Sequence, residues 1–364
     1  MKRSLFLTLL VVTLVVLMSV VGCTPTVENG EENGDAEPVE KITLKWVDEH
    51  ATTAWEAKMA AIPFLQEIED VTDGRVEVDP YWANTLLETV DIWPGIAAGT
   101  ADFGWCFMGV YGGMTTLADV VTLPFMPFES AEHGSAVLWT LLNEFPNLAE
   151  QFGENHILLT WTSDPYILAT TKKQVKTMED IKGLKIRAMG GPPTEMAELL
   201  GAVPQSMPMP DTYTNLQTGV LDGIFTPWEA IISWRHHEVC PYVTTIPAHS
   251  VYFTIPFNHD KWNSLPDDIR EALESVGGMK GSRFWGKQKF DSARPEVLRM
   301  CEEEGIEIEF YDPTPEELLQ WREAAGLPLW DKWVADREAD GYDEAQEILD
   351  RCLELAEAGL AGME

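Results

Sequence analysis

Positive charge is scarce in this chain: its 364 residues carry 25 Lys and Arg against 60 Asp and Glu, a formal net charge of −35 at pH 7. A surface of that sign repels nucleic acid and anionic membranes, which excludes both as partners. Several chemical signatures are missing as well. There is no phosphate loop, nucleophile elbow, paired Cys-x-x-Cys or dinucleotide fingerprint, which weighs against catalysis and calls for no cofactor. Cysteine is sparse, at Cys23, Cys106, Cys240, Cys301 and Cys352. Cys301 with Cys352 is a candidate disulfide, while isolated core thiols describe Cys106 and Cys240 at least as well. The constellation His236-His237-Glu238 with Asp48-Glu49-His50 has no recurring ligand spacing, and adjacent histidines on a helix point to different faces, so no metal is expected. No internal repeat is visible.

What is present begins with an export signal. Residues 1–23 have a basic start (Lys2, Arg3), an apolar run, and Val20-Val21-Gly22 leading to Cys23. Small residues before a cysteine resemble a lipoprotein processing site, with Cys23 as the lipidated first residue; an uncleaved anchor is the weaker alternative, because a polar segment follows at once. Residues 24–41, rich in Glu, Asn, Gly and Pro, have almost nothing to bury and read as a disordered acidic tether. The location is therefore extracytoplasmic. The remaining length, with 45% hydrophobic residues overall, suffices for two lobes.

Strand and helix patterns alternate through the folded part. Ile42, Leu44 and Trp46 mark a strand, Trp55, Met59, Ile62, Leu65 and Ile68 a helical core stripe, and 101–108 a buried strand. Residues 86–98 and 342–361 read as helices, and 306–310 as a strand. Within 182–228 the pattern runs strand, glycine turn, helix, strand, helix, strand, with Arg187 where the first strand ends. Alternation of this kind predicts an α/β fold whose ligand crevice lies outside the carboxyl ends of the strands, so Arg187 faces it. Gly190-Gly191 and Pro192-Pro193 then open a helix whose first N–H groups join Arg187 as donors to an anion. In a strongly negative molecule, one arginine held in a crevice points either to an anionic ligand or to pairing with one of the chain's many carboxylates.

These motifs carry a resemblance. GLKIR, LGAVPQSMPMPDTYTNLQTGVLDG, LLETVDIWPGIAAGTADFGW at 86–105, LPFMPF at 123–128 and FTIPFNHDKWNSLPDDIREAL at 253–273 are similar, in order and spacing, to the solute-binding proteins of TRAP transporters, the DctP family. The resemblance implies a two-lobed periplasmic-binding-protein-like fold with mainly parallel sheets and a hinge crevice. Lobe I would take 42–163 and 256–295, and lobe II 164–255 and 296–364. It implies a receptor that hands its solute to the small and large subunits of a membrane permease. The family's second ligand-binding arginine is expected within 164–171, where this chain has none and Tyr166 or Ile167 stands instead; Thr226 stands where an asparagine is common. One arginine matches one carboxylate, and the neighbouring candidates Trp105, Phe107, Trp161, Tyr166, Phe225 and Trp228 are aromatic. His50 and Met209 complete the candidate set. The expected solute is a monocarboxylate with an aromatic or bulky apolar body. A C4-dicarboxylate or 2-oxo acid receptor is the alternative, with a sensing role or a tethered hydrolase or isomerase using Glu49, His50 or Glu229 further behind.

Overall fold

The computed structural model describes residues 41–188, 191–207 and 209–363, so the signal, Cys23 and almost all of the tether lie outside the described residues. Two six-stranded sheets organise what is described. The first combines β1 (Ile42–Val47), β2 (Val76–Tyr81), β3 (Phe103–Gly104), β4 (Cys106–Phe107), β5 (His156–Thr162) and a later strand described below. Leu44 and Trp46 of β1 point into the core with no exposure, as their alternation requires. The strand expected over 101–108 is in fact two short ones. At Gly104 a Cβ would lie 2.6 Å from the Val47 oxygen, and the Trp105 N–H still donates to that oxygen at 3.0 Å, so the backbone hugs β1 where the ladder breaks.

The second sheet is built from β6 (Ile167–Thr170), β7 (Lys185–Arg187), β8 (Val203–Gln205), β9 (Gly223–Thr226), β10 (Tyr242–Thr244) and a final strand, in the order final-β10-β6-β9-β7-β8. Gly183, at φ +74°, turns the chain from the helix Met178–Ile181 into β7. The strand β11 (Tyr252–Phe257) returns to the first sheet, giving β2-β1-β3-β11-β4 with β5 also on β11; β12 (Glu309–Tyr311) is the final strand of the second. Pairings are mixed among the described residues. Five are parallel and five antiparallel. Every antiparallel pairing involves β6 or β11, the strands that follow directly from the crossings between lobes.

Apolar clusters cover both faces of each sheet. Four features depart from the sequence-based expectation. The return to the first lobe comes at Tyr252, since all of β11 pairs there. The C-terminal helix, Ala345–Ala358, packs on Ala131–Glu144, and its Ile348, Leu349, Cys352 and Leu355 join the first-lobe core, although 296–364 was expected in lobe II. The preceding helix Leu327–Ala339 passes between lobes: Leu329 belongs to a second-lobe cluster, Trp330, Trp333 and Val334 to a first-lobe one. The irregular segment 123–128 reaches across as well. Phe125, in the left-handed region at φ +58°, sits in a second-lobe cluster and donates its N–H to the Ala248 oxygen at 3.0 Å.

The candidate disulfide is not formed. Cys106, Cys240, Cys301 and Cys352 are all free and buried, and Cys301 and Cys352 sit in the cores of different lobes.

Candidate functional site

Two extended segments cross between the sheets side by side. The Ser163 N–H donates to the Val251 oxygen at 2.8 Å, the Val251 N–H to Ser163 Oγ at 3.0 Å, the Tyr166 N–H to the His249 oxygen at 2.7 Å and the Ala248 N–H to the Tyr166 oxygen at 2.9 Å. The ribbon carries two buried polar groups, Asp164 and His249, and the partly buried Tyr166 between the lobes.

Arg187 lies at the end of β7, only 8% exposed, its Nε donating to the Met207 oxygen at 3.2 Å. Burial lowers the pKa of its guanidinium, because the charged form is poorly solvated there. Its charge is felt by Tyr166, His249 and His236. The Tyr166 and His249 rings are 4.5 Å apart, and Phe225 meets His249 edge-on at 6.3 Å. Burial, with the Arg187 charge adding, pushes His249 down to about 4 and His236 to about 3, so both are neutral at pH 7. The Tyr166 phenol is raised by burial and stays protonated. This wall therefore offers one fixed cation beside neutral rings, with the Asp164 and Glu229 carboxyl groups also acting on Tyr166. Of the turn expected to assist it, Met189 and Gly190 lie outside the described residues.

The facing wall grows from the end of β1. His50 receives support from Asp48: its N–H and Nδ1 both lie 2.8 Å from Asp48 Oδ1. The imidazole meets Trp105 edge-on at 4.7 Å, and Phe253 gathers Trp105, Phe107 and Trp161 around it at 5.2–5.3 Å. Two ionisable residues that the sequence did not single out complete this wall. Glu56 is fully buried, with His50 Nδ1 at 3.1 Å from Oε2 but off the hydrogen-bond direction. Lys289, 2% exposed, holds its Nζ over the rings of Trp105 (4.7 Å), Phe253 (4.8 Å) and Phe290 (5.2 Å). Burial, followed by the Asp48 carboxylate, pushes Glu56 up to about 8. Burial alone would depress His50, but the Glu56 charge and the Asp48 hydrogen bond outweigh it and carry it to about 9.

The walls meet through Trp55. Its Nε1 donates to the Lys289 oxygen at 2.9 Å, and its ring packs on the second-lobe cluster that also receives Met207 and Met209. Trp55 was expected in the core stripe of its helix; it is a contact between lobes instead. Glu56 had a legible signal, since it precedes the buried Ala60 and Phe64 at four-residue spacing. Lys289, 233 residues further along, had none.

Other expected site residues lie elsewhere. Trp161 is wholly buried between Phe253 and Trp285, behind the wall rather than on it. Trp228 lies in the second-lobe cluster, its ring under Arg294 (5.3 Å) and beside Phe310 (6.0 Å), and its N–H reaches Asp164 Oδ2 at 3.4 Å. Thr226 is fully buried and donates to the Pro227 oxygen at 3.4 Å; Met209 packs on the same second-lobe cluster. Glu49 accepts from Thr89 Oγ1 at 2.6 Å, and Glu229 accepts from Ser233 Oγ, so each candidate acid or base has a partner of its own. The histidines imagined as one metal set fall into two separate triads, Asp48-His50-Glu56 and His237-Glu238-Glu304. Neither of two surface clefts, at Pro241/Glu307–Glu309 and at Asp119/Pro192/Lys332–Arg337, includes Arg187.

Residues 49–336 match the family described as bacterial extracellular solute-binding protein, family 7. The Outer membrane transporter protein TsaT of Comamonas testosteroni is 25% identical over 80% of this chain and 85% of its own. A TRAP periplasmic solute-binding protein from Desulfovibrio salexigens, solved as an open complex, is 28% identical, with a TM-score of 0.79 over 88% of this chain and 97% of its own. A TRAP solute-binding protein from Rhodoferax ferrireducens, solved with copurified benzoate, shares the fold at 24% identity and a TM-score of 0.79, over 87% and 98%. One from Chromohalobacter salexigens with bound D-glucuronate shares it at 21% and 0.70, over 86% and 99%.

Proposed function

The chain belongs to the bacterial extracellular solute-binding proteins of family 7, the receptors of TRAP-type transporters, and from that premise we propose that its solute is an organic monocarboxylate with an aromatic or bulky apolar body, gripped through Arg187. The family is one of binding receptors, not of enzymes. Its relatives have been solved both with an aromatic acid and with a sugar acid, so the choice rests on this chain's own residues.

The observation that carries the reading is Arg187, a cation 8% exposed at a strand end, beside the neutral Tyr166 and His249. A carboxylate there gains charge-assisted hydrogen bonds in a site largely shielded from water, inside a molecule whose net charge of −35 repels anions everywhere else. Segment 164–171 supplies no second arginine. The facing wall bears the ring faces of Trp105, Phe107 and Phe253, which suit an apolar body. A solute touching both walls stabilises the closed arrangement of the lobes over the open one, because only closure supplies both sets of contacts. The loaded receptor, tethered through a lipidated Cys23, then delivers its solute to the small and large subunits of the permease.

A thermal-shift screen tests this. Benzoate and mandelate stand for the aromatic monocarboxylates, with succinate, malate, 2-oxoglutarate and D-glucuronate as competitors. At a hundred times its Kd, a bound acid adds about 2.7 kcal/mol of stability. Stabilisation by the aromatic acids alone is the expected result. A preference for dicarboxylates or the sugar acid refutes the solute class and leaves the receptor; no response to any acid refutes the role of Arg187.

A further inference from the structure

The first-lobe wall contains polar groups whose chemistry is unspent. Among the described residues no carboxylate comes within ion-pair distance of Lys289 Nζ, which lies over the faces of Trp105, Phe253 and Phe290. Both Glu56 oxygens and Asp48 Oδ2 are buried without a hydrogen-bond partner, and so is Trp105 Nε1. Lys289 is near enough to Glu56 and His50 to act on both electrostatically, and Glu56 in turn feels Glu229 of the second lobe. Buried acceptors without a hydrogen-bond donor, beside a lysine with no ion pair, form a costly arrangement; native proteins keep such groups where something else satisfies them.

Only some groups answer both needs. A second carboxylate would satisfy Lys289 but face Glu56 and Asp48. An ammonium, or a metal ion on Asp48-His50-Glu56, would satisfy the carboxylates but face Lys289. A ketone or ether accepts and donates nothing. A hydroxyl does both: its oxygen accepts from Lys289 Nζ while its hydrogen goes to a Glu56 oxygen. Flanking rings accommodate the apolar frame that carries it.

We propose that Lys289 and Glu56 form a hydroxyl-reading subsite on the first-lobe wall, so that the acid held by Arg187 carries a hydroxyl on the far part of its body. The subsite rests on the receptor reading of Arg187 and adds a specificity to it. Lys289 also gives the first lobe a cation of its own, so recognition of the hydroxyl requires both lobes and is coupled to closure.

Titration calorimetry with benzoate, the three hydroxybenzoates, the methyl ether of the tightest of them, and isophthalate tests it, on the parent, Lys289→Met and Glu56→Gln. In the parent, one hydroxybenzoate binds at least about tenfold tighter than benzoate, its ether and isophthalate. In both variants the ratio of hydroxybenzoate to benzoate affinity falls to within about threefold of one, whereas a purely structural lysine would weaken all acids alike and preserve the ratio. Equal binding of benzoate and the hydroxybenzoates by the parent, preference for the ether or isophthalate, or a ratio untouched in the variants overturns the proposal. Should Lys289→Met fail to fold, the parent's own ranking decides. If no acid binds the parent, the reading of Arg187 falls and the subsite with it; if benzoate binds and the hydroxyl adds nothing, the subsite alone falls.

Discussion

Replacing Arg187 by alanine removes the cation on which the binding reading depends. A guanidinium meeting a carboxylate with two N–H donors makes two charge-assisted bonds, each contributing about 1.5 to 3 kcal/mol, so about 3 to 6 kcal/mol of affinity should disappear, roughly a 10²- to 10⁴-fold rise in Kd. The burial that leaves Arg187 8% exposed places the loss at the upper part of that range, because little water competes. Arg187→Lys keeps the charge, loses the planar fork and gives up the Nε bond to Met207, so it falls between parent and alanine. Burial already disfavours the charge in the empty protein, so the unliganded melting temperature should change little while the ligand-induced shift vanishes. Calorimetric titration of benzoate beside thermal melts of all three proteins measures both. An alanine variant that binds within threefold of the parent refutes the anchor; one that melts far below the parent before any ligand is added shows a structural arginine.

Three further outcomes follow from the packing and electrostatics. Glu56 at about 8 and His50 at about 9 both sit above their ordinary values of 4.5 and 6.5, so the stability they contribute is complete below those ordinary values and fades as pH rises through 8 and 9; denaturant midpoints should fall between pH 7 and 9.5, less steeply in Glu56→Gln, and parallel slopes would disprove the assignment. Gly286→Ala sets a Cβ 2.5 Å from Ser135 Oγ and 2.6 Å from the Ala131 oxygen, where two helices touch, and should cost about 1–3 kcal/mol in urea titration, whereas Gly112→Ala, with open space around it, should stay within about 0.5 kcal/mol. Cys106, Cys240, Cys301 and Cys352 are free and buried, so a thiol reagent should label them only on unfolding, Cys301 at 6% exposure first, and reductant should leave the melting temperature unchanged; a reductant-sensitive melt would show a disulfide.

Local rules made Arg187 legible. A strand ending in a cation, preceded by Gly183 and followed by glycine and proline, is a pattern carried within a dozen residues, and an α/β topology fixes which end of the strand faces the crevice. Tyr166 was legible for a different reason, by standing where an expected arginine was missing. Trp161 was misjudged, because spacing tells that a strand residue is buried but not which layer buries it; β5 pairs along most of its length with β11, and Trp161 points to the Trp285 side. Glu56 and Lys289 depend on a helix face and on a one-turn π-helix that the fold brings together from opposite ends of the first lobe. No sequence window contains both. The lobe assignment of the C-terminal helix failed similarly, since its apolar stripe fits either lobe and only the passage of Leu327–Ala339 between them decides.

That passage has a mechanical meaning. A helix rooted by Leu329 in one core and by Trp330, Trp333 and Val334 in the other, with Phe125 anchored across the same boundary, acts as a strut between the lobes. With the ribbon of 163–166 and 248–251 as a second support, sliding and shear are both resisted, and rotation about a line through the two supports is the soft coordinate that remains. The state of the receptor then reduces to one angle, and a single label-to-label distance across the crevice would track it.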